Sequence, residues 1–205
     1  MQVADSSRGI VSRGFSGRRR GSAALPPGQY VTPDFPVLSA GPTPRVLPES
    51  WQLSITTETG AVHKWTWPQF LSLPAESVVR DIHCVTTWSK LATTWEGVSL
   101  DTLLADVQTE AGYALATSYG DYTTNLPLAD LRNGKAWVVH RYDGQPLAPE
   151  HGGPARLLVP HLYLWKSAKW IRDIALRRED KRGFWENVGY HDYGDPWREQ
   201  RYWGD

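Results

Sequence analysis

The sequence predicts an α+β domain in which a mixed sheet of short strands is accompanied by short helices. Three observations lead there. Apolar and polar residues alternate in several short runs, as half-buried strands require. Helix signals are confined to two short stretches. Strands and helices also fail to alternate in the regular order of a parallel βαβ fold. A chain of 205 residues has room for one core of this kind.

The elements follow in order. From Gln29 to Pro48 the chain holds Pro33, Pro36, Pro42, Pro44 and Pro48. Proline fixes φ and removes donors, so an extended, irregular strap is expected. The runs Trp51 to Thr56 and His63 to Trp67 alternate and read as strands, followed by a short helix that opens at Pro68 and ends near Pro74. A third strand, Val78 to Cys84, delivers His83 and Cys84 to its C-terminal end. Ser99 can cap a helix that carries Leu100, Leu103, Leu104 and Val107 on one face. Further strands are expected at Tyr113–Ser118, Ala136–Tyr142, Arg156–Pro160 and Trp170–Leu176, with a turn at Asp143-Gly144.

Three segments differ in composition. Residues 1–28 set Arg8, Arg13, Arg18, Arg19 and Arg20 against Asp5 among many Gly and Ser, which predicts a flexible basic arm. Residues 29–176 form the folded domain. Residues 177–205 interleave charges with Trp185, Trp197, Trp203, Tyr190, Tyr193 and Tyr202; this extension is expected to pack back on the domain or to present a contact surface. Lys+Arg and Asp+Glu both total 22, and that balance argues against a nucleic-acid partner. With a mean hydropathy of -0.46, the chain has no run long enough for a membrane span. The Arg18-Arg19-Arg20 run lacks the apolar stretch of an export signal, because Pro26-Pro27 follows at once, so a cytoplasmic location is expected.

One cysteine stands against eleven tryptophans. A single thiol excludes an internal disulfide and any iron–sulfur or zinc site built from several thiolates of this chain. Cys84 sits where an apolar strand gives way to a Thr/Ser-rich turn flanked by Trp88, a setting for a nucleophile or a soft metal ligand rather than core filling. A second constellation is His151-Gly152-Gly153-Pro154-Ala155-Arg156, followed by Lys166-Ser167-Ala168-Lys169-Trp170. Paired glycines allow close backbone approach to a ligand, and Arg156, Lys166, Lys169 and Ser167 supply donors for an anion such as phosphate.

Taken together, Asp81-Ile-His-Cys-Val-x-x-Trp-Ser, then Trp95-x-Gly-Val, His151-Gly-Gly-Pro-x-Arg-Leu-x-Val-Pro and Lys166-Ser-x-Lys-Trp-Ile resemble the molybdopterin-binding domain of the sulfite oxidase family. The resemblance runs from about Gln29 to Leu176 and extends to the catalytic subunit of bacterial protein-methionine-sulfoxide reductase, which shares that fold. It implies a sulfite-oxidase-type mixed-sheet fold and a molybdenum–molybdopterin cofactor. It also implies oxygen-atom transfer on a small-molecule substrate such as sulfite or a sulfoxide, the protein orienting and tuning the cofactor. Cys84 matches the position of the thiolate that ligates molybdenum. His83, His151 and Arg156 match cofactor contacts. Ser167, Ala168 and Lys169 match the strap over the cofactor, Ser118 falls near a further pterin contact, and Tyr122 aligns with an active-site tyrosine that acts as a hydrogen-bond or proton-transfer group. Trp88, Trp95 and Trp170 are expected to wall the pocket.

The strap departs from the family pattern. Thr32 stands where sulfite oxidases carry an arginine, and Asp34 replaces a histidine, which disfavours a sulfite dianion. Asp34 and Phe35 are assigned instead to the pterin. Neither a haem domain nor a dimerisation domain fits in this length, so a monomer with a separate electron-transfer partner is expected. Two other readings stay open: a metal-free nucleophile pairing Cys84 with His83, His151 or His161, and a non-catalytic binding module that keeps the fold.

Overall fold

The computed structural model describes residues 25–205. Apart from residues 25–28, the predicted arm lies outside them. The strands are β1 (Tyr30–Val31), β2 (Gln52–Thr56), β3 (Val62–Thr66), β4 (Glu76–His83), β5 (Trp88–Ser99), β6 (Tyr113–Ser118), β7 (Thr123–Pro127), β8 (Trp137–Tyr142), β9 (Gln145–Pro146), β10 (Arg156–Leu158) and β11 (Ile171–Arg177). The helices are α1 (Trp67–Leu71), α2 (Leu100–Leu103) and α3 (Phe184–Asn187). Among the described residues no helix is long and apolar enough to cross a membrane. This is the α+β fold with mixed sheets that the sequence predicts.

The strands form two sheets. In one, β1, β5, β8 and β10 run in that order, with β4 also on β5 and β9 on β8. The other has the order β3-β2-β11-β6-β7; its β2–β11 pair is parallel and its other pairs are antiparallel. The larger core cluster joins Leu53 and Ile55 of β2, Ala114 and Ala116 of β6 and Ile174 of β11 to Val98, Val138 and Leu157 of the first sheet. Trp137, Val139 and Leu158 belong instead to a second cluster with Ile82, Cys84, Trp88 and Trp95. Period-two alternation along β8 and β10 therefore buries both faces of the first sheet, and Cys84 belongs to the smaller, tryptophan-rich side.

Several elements differ from the sequence expectation. The longest strand, β5, runs through Thr93, Thr94, Glu96 and Gly97, whose polarity hides its alternation; a bulge between Glu96 and Gly97 and a positive φ at Ala92 break the register. β7 is likewise unexpected. The helix after Ser99 lasts one turn, capped by Ser99 Oγ accepting from Thr102 N at 3.2 Å. Leu103, Leu104 and Val107 are buried all the same, because the chain goes on in tight turns such as Val107 N to Leu104 O at 3.2 Å. The stripe at 3/4 spacing recorded burial, and burial did not need more helix. Gly152 and Gly153 are both required by the chain's own packing. Gly152 has φ +107°, and a Cβ on Gly153 would stand 2.1 Å from the Leu147 carbonyl oxygen.

The C-terminal segment is tied in by a buried ion pair. Lys166 Nζ lies 2.7 Å from Glu186 Oε1, and both side chains are fully buried. Glu186 Oε1 also accepts from Thr124 Oγ1 at 2.9 Å and from the Trp165 indole at 3.0 Å. Lys166 Nζ further donates to Asn125 O, Asn125 Oδ1 and Asp192 O. Burial pulls the Lys166 ammonium below its ordinary range, and Glu186 opposes that pull. Breaking such a pair leaves an uncompensated buried charge. Lys166→Met is therefore expected to lower the urea unfolding free energy by about 3–5 kcal/mol. In a double-mutant cycle, Lys166→Met with Glu186→Gln should lose less than the two single losses added together.

Candidate functional site

Cys84 occupies the turn between β4 and β5. Its N–H donates to Trp88 O at 2.9 Å and its carbonyl accepts from Thr87 N at 3.1 Å, with Thr87 at φ 73°. The Gln29 amide donates to the same carbonyl at 3.1 Å while its oxygen accepts from Ser89 Oγ at 3.1 Å. Arg201 donates to Val85 O at 2.8 Å. Strap, hairpin and C-terminal segment thus hold one turn in place. The sulfur accepts from Thr86 Oγ1 at 3.1 Å.

The sulfur faces a cavity of about 680 Å³, into which the structure also brings Phe35, Ser118, Tyr122, Arg156, Ser167 and Lys169. Arg156 is buried and donates to His151 O at 2.9 Å and Ser167 O at 2.7 Å. Desolvation pulls its guanidinium down to about 10. Lys169 Nζ donates to Leu38 O at 2.8 Å and Glu150 O at 2.7 Å; burial first, then the Arg156 charge, pull it down to about 8. The partners of both cations are neutral carbonyls, and the lining carboxylate, Asp121, pairs with Arg172. Two desolvated cations without a carboxylate leave an unmet demand for negative charge, which a phosphate satisfies. The hydroxyl groups are already engaged: Ser118 donates to Lys169 O at 2.5 Å, and Ser167 Oγ accepts from Val159 N at 2.9 Å.

Other expected site residues lie outside the lining. Asp34 is exposed on the strap, away from the cavity. His83 is buried with Nδ1 2.8 Å from Ser89 Oγ, pointing away from the sulfur's cavity as alternation along a strand demands. Ala168 is buried and its carbonyl accepts from Leu157 N at 2.8 Å. His151 stacks on Phe35 with ring centroids 4.0 Å apart, its Nδ1 buried without a partner. Of the expected tryptophans, Trp88 and Trp170 line the cavity, whereas Trp95 packs within the second core cluster.

Tyr122 reaches the cavity, but its hydroxyl donates to Trp165 O at 2.5 Å. Burial, reinforced by Glu186, drives that hydroxyl well above its ordinary range. The cysteine-nucleophile reading lacks its base. His83 pairs with Ser89, His161 with Asp130 at 3.1 Å, and His151 stacks on Phe35, while the sulfur's partner is the Thr86 hydroxyl.

The sequence reading missed two walls. One is the strap around Leu38, Pro42 and Pro44; the other is aromatic, with Trp165, Trp185 and Tyr190. The aromatic interleaving after Arg177 was the available signal for the second. Proline content marked the first as extended without saying what it covers.

The family model described as oxidoreductase molybdopterin binding domain matches residues 40–185. The oxidoreductase YuiH of Bacillus subtilis is 41% identical over 187 residues, covering 90% of this chain and 94% of that protein. The protein-methionine-sulfoxide reductase catalytic subunit MsrP of Campylobacter jejuni is 28% identical over 166 residues, covering 71% of this chain and 55% of its own. The chain therefore spans about half the length of that reductase. Mitochondrial sulfite oxidase of Mus musculus is 28% identical over 112 residues, 47% of this chain and 20% of that one. Among solved structures, the sulfane dehydrogenase SoxCD of Paracoccus pantotrophus shares the fold, with a TM-score of 0.60 at 18% identity over 67% of this chain and 41% of that one.

The Tyr122–Trp165 bond yields a stability prediction. Tyr122→Phe removes one buried hydrogen bond, worth about 1 kcal/mol. The thermal midpoint should fall by about 2–4 °C, read by calorimetry.

Proposed function

This chain belongs to the oxidoreductase molybdopterin-binding domain family, and from that premise we propose that it removes the oxygen atom of a neutral S-oxide or N-oxide, with Cys84 as the protein ligand to molybdenum. It is a molybdopterin-dependent oxidoreductase of the sulfite-oxidase-like type, and its cofactor is molybdenum–molybdopterin. One observation carries the finer reading. The chain's single thiol faces a cavity whose two cations, buried Arg156 and half-buried Lys169, make no hydrogen bond to a carboxylate, while no histidine hydrogen-bonds to the sulfur. A thiolate for a soft metal and cations for a phosphate are the two demands of this group, and they meet in one place.

When bound, the cofactor supplies a two-electron couple linked to oxygen-atom transfer. The rest falls to the chain. Arg156 and Lys169 hold the phosphate, and their charges are spent on it. Thr86 donates to the Cys84 sulfur and draws charge from the thiolate, as outer hydrogen bonds to metal ligands do. Trp88, Trp165 and Trp170 wall the cavity against water. With both cations committed and Thr32 on the strap, no positive group is left for a sulfite dianion among the described residues that line the cavity, which favours a neutral oxide. In the net change the oxide takes up an electron pair and a pair of protons; its S–O or N–O bond breaks, and the sulfide or amine leaves with one water. Electrons come from a separate one-electron carrier, since one cysteine cannot build an iron–sulfur relay in this chain. The name "catalytic subunit" borne by the reductase relatives supports such a division of labour.

Cys84→Ser tests the ligand assignment. Protein from a host that makes molybdopterin should carry stoichiometric molybdenum and reduce dimethyl sulfoxide with reduced viologen. The variant should keep the parent's unfolding midpoint, lose the sulfur-to-metal absorption in the visible, and drop to background turnover. An unchanged visible spectrum would refute Cys84 as ligand.

A further inference from the structure

The cavity needs a group that can donate to the departing oxygen of the substrate, and Tyr122 does not qualify, because its hydroxyl is spent on Trp165 O at 2.5 Å. Ser118 and Ser167 are likewise engaged by the main chain. Thr86 donates to the sulfur itself. Two lining hydroxyls remain without a hydrogen-bond partner among the described residues: Ser39, exposed on the strap, and Tyr190, on the turn that follows α3 and packed among aromatic rings.

The Tyr190 ring is held from three sides. It meets Trp165 edge-on at 5.1 Å between centroids, Trp185 at 4.9 Å and Tyr202 edge-on at 5.3 Å. The backbone is fixed as well, by Tyr190 N donating to Trp185 O at 3.1 Å and by a strand-like bridge to Tyr202. Such packing orients a side chain whose tip is free. Burial raises the Tyr190 hydroxyl above its ordinary range, Tyr202 and Cys84 adding to the rise, so it stays a donor at neutral pH. Tyr190 and Cys84 line the same cavity, and neither Arg156 nor Lys169 bonds to the tyrosine: Arg156 donates to His151 O and Ser167 O, Lys169 to Leu38 O and Glu150 O. The cavity therefore combines the cations Arg156 and Lys169 with an aromatic wall that carries an available, ring-packed hydroxyl.

We propose that Tyr190 is a catalytic residue, its hydroxyl donating a hydrogen bond to the oxygen of the bound oxide as the S–O or N–O bond breaks. The assignment rests on the oxide-reducing reading above. Tyr190 contributes no net proton; both protons of the balanced reaction come from solvent, and both electrons from the external carrier. Tyr190 lies beyond the part matched by the family model, which ends at residue 185.

The test uses cofactor-loaded protein and Tyr190→Phe, which keeps the ring and its packing. Molybdenum content and unfolding midpoint should match the parent. With reduced viologen and dimethyl sulfoxide, kcat/KM should fall about a hundredfold or more, the scale of a lost transition-state donor. Calorimetric titration with dimethyl sulfone, which presents sulfonyl oxygens but no sulfoxide to reduce, should show affinity about threefold to tenfold weaker in the variant, the worth of one hydrogen bond. Equal sulfone affinity in parent and variant overturns the assignment, as does a parent that does not bind the sulfone. If the loaded parent reduces no oxide yet its sulfone affinity still depends on Tyr190, the oxide-reducing reading fails while the hydroxyl's place in the site stands.

Discussion

The buried pair between Lys166 and Glu186 decides where the walls of the cavity stand. Lys166 sits between Trp165 and Ser167, both of which line the cavity, and Glu186 follows Trp185, which lines it too. An ammonium with several acceptors around it admits few arrangements. Satisfying Asn125, Asp192 and Glu186 together fixes β7, α3 and the turn at Leu164–Lys166 relative to one another. Two buried charges are a poor way to gain stability, since desolvation offsets much of their attraction. Their contribution here is register: a purely apolar contact could slide, and the aromatic wall would slide with it.

The same logic of unmet demand runs through the cofactor side. The chain as a whole is neutral, so composition says nothing about an anion. Locally, buried Arg156 and half-buried Lys169 are held against carbonyl oxygens, which solvate a cation without neutralising it. That leaves a field that only a bound anion completes. Whereas Lys166 has its carboxylate, Lys169 donates only to carbonyls; on the proposed reading this difference separates a structural lysine from one that takes the phosphate. The two stand three positions apart, and no pattern in the sequence tells them apart.

Legibility in the sequence followed local chemistry. The alternation in β2, β6 and β11 was plain because one face is buried and the other is not. β5 escaped because its buried positions include Thr93, Gly97 and Ser99, so burial there does not coincide with hydrophobicity. Cys84, Arg156 and Lys169 could be picked out as site residues because each is chemically distinctive within its motif, and all three reach the cavity. Asp34 was assigned to the pterin because a carboxylate suits its N–H groups, but nothing in a proline-rich strap fixes which way a side chain turns. Tyr122 illustrates a different limit. It lines the cavity, but what its hydroxyl meets is a main-chain oxygen 43 residues away, a contact that only the folded topology creates.

The division of the site between two stretches of chain has a consequence for specificity. Residues that suit the cofactor lie within the matched family region, on the β4–β5 turn and around β10. The aromatic side is supplied largely by Trp165, Trp185 and Tyr190, the last of which lies past that region. Because the ion pair anchors the segment at Glu186, the turn bearing Tyr190 can differ in sequence without disturbing Arg156, Lys169 or the Cys84 turn. If the aromatic side meets the substrate, as proposed, a chain built this way can keep the redox chemistry constant and change that surface. Arg201 limits that freedom, since it returns from the end of the same segment to hold Val85 O beside Cys84. Between Glu186 and Arg201 the segment is pinned again at Asp192, whose carbonyl takes Lys166, and at Gly194, where φ is +80° and a Cβ would stand 2.7 Å from the Trp165 ring; Tyr190 stands in the interval between Glu186 and those points.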